Sequence, residues 1–194
     1  MNLDPRQVKS KEKLHEAYLS LAMEGVDQMT IQQVCQKAKV TRPTFYKLYK
    51  DVQELRKDIV QQLLDEMKNA LTIQNPKPLA EMSDEGRSEN LRLSFEHVEK
   101  HQIAYETLLI YQTDALLTNG LQEIIKDYVR NGIYFSETRP YLIDVDEQLI
   151  ISYVSGAYLE SMRWWITTNY AIPPAQMAKT LIDISLNGPY VKRL

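Results

Sequence analysis

From Thr41 to Lys50 the sequence reads Thr-Arg-Pro-Thr-Phe-Tyr-Lys-Leu-Tyr-Lys. Thr41, Arg42, Thr44, Lys47 and Lys50 supply hydroxyls and cations, the donors that meet phosphate oxygens and base edges. Tyr46 and Tyr49 add phenols, which can reach phosphate or pack by an apolar edge. The spacing of Phe45, Leu48 and Tyr49 turns them toward a neighbouring helix, so Tyr46 is the phenol expected to face outward. This chemistry is recognition, and no catalytic residue is expected. The chain lacks a nucleophile elbow, a phosphate-cradling glycine loop and a zinc signature, and its six glycines leave little room for one. Neither an enzyme nor a cofactor is expected.

Other reactive side chains carry less. Cys35 sits between Val34 and Ala38 on an apolar stripe, which makes it a packing residue. His97 and His101 lie four apart on a predicted helix and could share a metal ion only if a carboxylate came from elsewhere. No such ligand is evident in the sequence, so the pair reads as two surface histidines and no metal is expected. Tyr105, Tyr111, Tyr134, Tyr158 and Trp164 could line an apolar ligand cavity, or equally form ordinary core.

The elements that must position the 41–50 segment are helices; no period-2 strand pattern bounded by hairpin turns occurs. Leu14, Ala17, Tyr18 and Leu21 form the stripe of a first helix over about 9–24, stopped near Gly25. Thr30 and Gln33 form a capping box ahead of Ile31, Val34, Cys35 and Ala38, a short second helix. Thr41 caps a third helix over 42–48, with Pro43 in its first turn. Asp51 and Glu54 open a long fourth helix carrying Leu55, Ile59, Leu63, Met67 and Leu71. The stretch 74–86, with Pro76 and Pro78, reads as a loop. Further helices are expected near 87–101, 103–112, 114–131, 145–168 and 174–187.

An apolar fraction of 44% and a charged fraction of 25% are ordinary for a globular chain. No apolar run nears the roughly 20 residues needed to span a bilayer. The start Met1-Asn2-Leu3-Asp4-Pro5 shows no apolar targeting region, so a cytoplasmic location and no membrane partner are expected. A single cysteine excludes an internal disulfide. Of 23 Lys/Arg and 26 Asp/Glu, residues 1–57 hold 11 and 7, leaving 12 and 19 to the rest. A basic amino-terminal segment on an acidic body suits a protein that offers one end to phosphate.

Two short helices joined through Lys39, Val40 and Thr41 have the dimensions of a helix-turn-helix. The run Thr30-Ile31-x-x-Val34-x-x-Lys37-Ala38-x-Val40-Thr41-Arg42-x-Thr44-Phe45-Tyr46-x-x-Tyr49, followed by Asp51 and Glu54-Leu55, resembles the tetracycline-repressor (TetR) family. The resemblance covers about residues 10–56. It implies an all-α protein, with a three-helix DNA-binding domain at 1–52 and a helical effector-binding and dimerisation domain at 53–194. It also gives DNA-facing roles to Thr41, Arg42, Thr44, Tyr46 and Lys47, with Thr30 and Lys50 added. Lys39 stands where the family commonly has glycine. Val52 stands where a lysine often meets phosphate, a task Lys50 can take over. Leu48 replaces a frequent histidine.

A homodimer on a palindromic double-stranded operator, acting as a repressor released by a small-molecule effector, is therefore expected; a helical adaptor that has lost operator recognition is the alternative. Ile150, Val154, Ala157 and Tyr158, beside the small Ser155 and Gly156, form the candidate dimer face together with Met177, Leu181 and Ile184.

Overall fold

The computed structural model describes residues 4–26, 28–73, 84–134 and 145–188. Among these residues every regular element is helical: α1 (Pro5–Met23), α2 (Ile31–Ala38), α3 (Arg42–Leu48), α4 (Val52–Leu71), α5 (Asp84–Lys100), α6 (Gln102–Tyr105), α7 (Ala115–Tyr134), α8 (Glu147–Thr167) and α9 (Pro174–Asn187). The expected capping signals at the starts of α2, α3 and α4 operate. Thr30 and Gln33 close a reciprocal capping box on α2, and Asp51 Oδ1 accepts from the Glu54 amide at 2.8 Å to start α4. Gly25, at φ 78°, ends the first helix in the left-handed conformation that glycine adopts without strain.

The first three helices pack around Leu14, Tyr18, Val34, Ala38 and Phe45. Helix α4 leaves this unit and runs into the body, where it packs on α5 and α7; α7 in turn packs on α8, and α5 on α9. It buries Leu55, Ile59, Val60, Leu63, Met67 and Leu71 along one face. Gly120 of α7 lies so close to the Leu64 side chain that a Cβ there would collide with it.

One expected helix differs. Over 103–112 a single α-turn, α6, passes into a π-helical segment, Glu106–Tyr111. The wider register leaves backbone carbonyls without their usual amides. Arg163 of α8 donates to the Leu109 carbonyl at 2.7 Å, while the Asp114 amide reaches the Leu108 carbonyl at 2.7 Å. Thr113, at φ 46°, completes the bend into α7. The loop expected over 74–86 falls mostly outside the described residues; α5 already begins at Asp84.

Candidate nucleic-acid interface

Helix α3 separates its two faces sharply. Phe45 is fully buried and Tyr49 nearly so, whereas Thr41, Arg42, Tyr46, Lys47 and Lys50 are exposed and Thr44 is half-buried. Leu48 is half-buried against the core. Tyr46 keeps 52% of its surface exposed, its ring held edge-on to Phe45, so its hydroxyl is carried outward on a packed stem. Thr41 accepts from the Thr44 amide, and the two hydroxyls lie 2.9 Å apart. Thr41 is thus a helix cap as well as an exposed hydroxyl. Thr30 is exposed, with its hydroxyl engaged by Gln33 at 2.8 Å.

The turn between α2 and α3 passes through Lys39 at φ 53°, ψ 41°. This left-handed residue lets the Val40 amide reach the Cys35 carbonyl at 3.0 Å and folds α3 back across α2. A lysine there carries strain that glycine would avoid. Cys35 is buried, and desolvation raises its thiol pKa, as its stripe position predicts.

Sequence reasoning missed what anchors α3 from behind. Asp58 of α4 accepts from the Tyr49 hydroxyl at 2.6 Å, from Lys11 Nζ at 2.9 Å and faces His15 Nε2 at 2.9 Å. The network joins α1, the end of α3 and α4. Burial disfavours the Asp58 anion, but the hydrogen bonds from Lys11, Tyr49 and His15 outweigh it and hold the carboxyl below its ordinary range. Burial pushes His15 down despite Asp58 and, together with Asp58, pushes the Tyr49 phenol well up. Lys11 and His15 are four apart on one helix face, a local signal; their partner 43 or more residues away has none.

A second unforeseen contact ties α4 to the start of α7. Arg56 Nε and Nη2 lie 2.6 and 2.5 Å from Asp114 Oδ2. The other oxygen of Asp114 accepts from the Leu116 and Leu117 amides and caps α7. The pair borders a cleft of about 740 Å³ lined by residues including Tyr18, Val52, Tyr111 and Thr113.

Of the five aromatic residues considered as a ligand cavity, the four whose side chains are described do not line one space. Tyr105 and Tyr158 are buried in the core, Tyr158 bonded to Ser94 and stacked edge-on to Phe95. Tyr111 lines the cleft just described, and Trp164 is half exposed. The side chain of Tyr134 lies outside the described residues. In the candidate dimer face, Tyr158 and Met177 turn into the chain's own core: the α8 stripe that packs inward runs through Ile151, Ser155, Tyr158 and Met162, and Met177 with Ala178 is buried on α9, which packs on α5. Ala157 and Ile184 are exposed, and Ile150, Val154 and Leu181 half-buried. The outward stripe also carries Leu149, Tyr153 and Trp164. The surface reading of the two histidines also changes: His97 of α5 is buried, and His101, in the turn after α5, is half-buried.

A helix-turn-helix with a cationic outer face, joined by one long helix to a helical body, defines a transcription regulator. The TetR-type family model described as "Transcriptional regulator C-terminal region" matches residues 88–187. The chain belongs to the TetR family of transcriptional regulators. Among solved structures, it is similar to a TetR transcriptional regulator from Streptococcus agalactiae at 20% identity and TM-score 0.61, covering 93% of this chain and 95% of that one. It is also similar to the fatty acid degradation regulator FadR from Bacillus halodurans at 12% identity and TM-score 0.63, covering 99% and 100%. The dihydroxyacetone kinase operon activator DhaS aligns at 18% identity and TM-score 0.62, covering 92% and 94%. These likenesses concern the fold. No curated protein matches the chain. Among the described residues no helix is long and apolar enough to cross a membrane.

Proposed function

We propose that the chain binds a palindromic operator as a homodimer and acts as a repressor that a small-molecule effector releases. The observation that carries the reading is the division of α3. Its inner side is locked by Phe45, Tyr49 and the Asp58 network, so Arg42, Tyr46 and Lys47 are presented on a rigid outer side. Arg42 has the reach for base edges near the start of the helix, while Tyr46, Lys47 and Lys50 suit phosphate.

Dimerisation is supported by the apolar outer stripe of α8, where Leu149, Tyr153 and Trp164 are exposed beside Val154 and Ala157, and by Ile184 on α9. Two copies related by a two-fold axis would enter successive major grooves if their α3 helices stood about 34–36 Å apart. An effector can release DNA only through different affinities for the two spacings. Helix α4, bonded to both units through Asp58 and Arg56, is the element that would carry the difference.

Selecting bound DNA from random sequence tests the reading. An enriched palindrome, bound less tightly by Arg42→Ala and Tyr46→Phe at fixed salt, is the expected result. Selection that enriches nothing at low salt would overturn it.

A further inference from the structure

Helix α4, helix α5 and the turn that follows α5 bring together three metal-ligating side chains: Glu66, His97 and His101. His101 Nε2 stands 3.0 Å and His97 Nδ1 3.4 Å from the same carboxylate oxygen, Glu66 Oε2. The three donor atoms lie within 4.8 Å of one another. In a tetrahedral zinc site with bonds of about 2.0–2.1 Å, neighbouring ligand atoms are about 3.3–3.4 Å apart. The His97–Glu66 separation already matches, the His101–Glu66 separation of 3.0 Å is slightly short of it, and a modest rotation of partly exposed His101 would bring all three donors onto one point.

From this convergence we infer that Glu66, His97 and His101 form a site for one divalent transition-metal ion of the zinc type, clasping α4 to α5. Two imidazoles and one carboxylate are a donor set that such an ion prefers over magnesium or calcium, which favour oxygen alone. The surroundings fix the ligands as a metal site requires. Gln62 donates to the second oxygen of Glu66 at 3.0 Å, leaving Oε2 aimed at the histidines. The buried Tyr105 hydroxyl lies 3.0 Å from His97 Nε2 and stacks edge-on to its ring, so Nδ1 is the nitrogen turned toward Glu66.

Lys100 Nζ, 3.8 Å from Glu66 Oε2, sits on a mostly exposed side chain that can swing into solvent. Partial exposure of Glu66 and His101 leaves an entry path and room for a water as fourth ligand. The third histidine, His15, is already engaged by Asp58 and Tyr49 and has no second imidazole beside it.

The test is a titration of the chelator-stripped full chain with ZnCl₂ against a chromophoric competitor, and with CoCl₂ followed by visible absorption. One ion per chain is expected, with Co²⁺ giving the ligand-field bands of a low-coordinate site. Glu66→Gln, which keeps shape and size, and His101→Ala, at a half-exposed position, should each weaken zinc binding at least tenfold and abolish the cobalt bands. Absence of stoichiometric binding at micromolar zinc, or binding undiminished in both variants, would overturn the inference and leave a hydrogen-bonded cluster. This outcome is independent of operator selection, which can succeed or fail separately.

Discussion

Asp58 shows how one buried-side carboxylate can set the posture of a recognition helix. It fixes the phenol of Tyr49, whose ring lies against Phe45, so the residue that ends α3 is held from both sides. Asp58→Asn keeps the shape but removes the charge that Lys11 and His15 face. A loss of about 1–3 kcal/mol is expected from the weakened buried hydrogen bonds, toward the lower end because the site is partly solvated; urea unfolding followed by circular dichroism measures it.

Acid should act on this network and, separately, on His97 in the body. His15 and His97 both have folded pKa values below the ordinary 6.5, so their contributions are complete above about pH 6.5. These are lost as pH falls through the lowered values, because the unfolded chain takes up protons first. Asp58, held below its ordinary 3.8, adds a further loss at still lower pH. The melting temperature should therefore fall between pH 7 and 5 and drop again below 4. His15→Gln should flatten the first fall in part, with His97 supplying the remainder; an unaltered pH profile would contradict the assignment.

At the scale of elements, the turn through Lys39 is the strained join. Lys39→Gly keeps the left-handed geometry and removes the Cβ conflict. Stabilisation of about 0.5–1 kcal/mol is expected, since the strain relieved exceeds the added freedom of the unfolded chain. A denaturation midpoint that falls instead would mean Lys39 makes a compensating contact. The Arg56–Asp114 pair joins α4 to the start of α7. Arg56→Met removes the cation from an almost fully buried carboxylate and should cost about 1–3 kcal/mol. Operator affinity should then respond less to whatever occupies the body, which binding assays on selected DNA would read.

These joins also mark where the sequence stopped being informative. Elements whose signals are local were legible: Thr30 with Gln33, Asp51 with Glu54, and the alternating faces of 42–48 all act within four residues. The outward Tyr46 and inward Phe45 follow from helical spacing alone. Asp58 with Lys11, Arg56 with Asp114, and Glu66 with His101 are 47, 58 and 35 residues apart. Such pairs exist only once helices have chosen their neighbours, and no periodicity encodes that choice. The π-helical segment was hidden for a related reason: its freed Leu109 carbonyl is satisfied by Arg163, far along the chain. Tyr158 and Met177 were misplaced because an apolar residue on an amphipathic helix gives no sign of whether it meets its own core or a second copy.

For the whole molecule, the exposed apolar stripe of α8 predicts association. Tyr153→Glu combined with Trp164→Glu alters side chains that are 74% and 49% exposed, so the protomer should stay folded. Sedimentation should show the wild type as a dimer and the double variant as a monomer, with operator affinity lost in parallel; a dimeric variant would place the interface elsewhere. Salt should weaken operator binding steeply, and Lys47→Ala should lower the logarithmic slope by about 0.9 for each phosphate charge left without its cation.

Helix α4 has 20 residues, so it is a rod about 30 Å long at 1.5 Å per residue. Leu71 ends that rod within the body and Asp51, beside the recognition helix, caps the other end. If the body end acts as a pivot, a tilt of about 6° carries the far end through about 3 Å, nearly the rise of one base pair. A rotation too small to disturb the core of the body is thus enough to put α3 out of register with its groove.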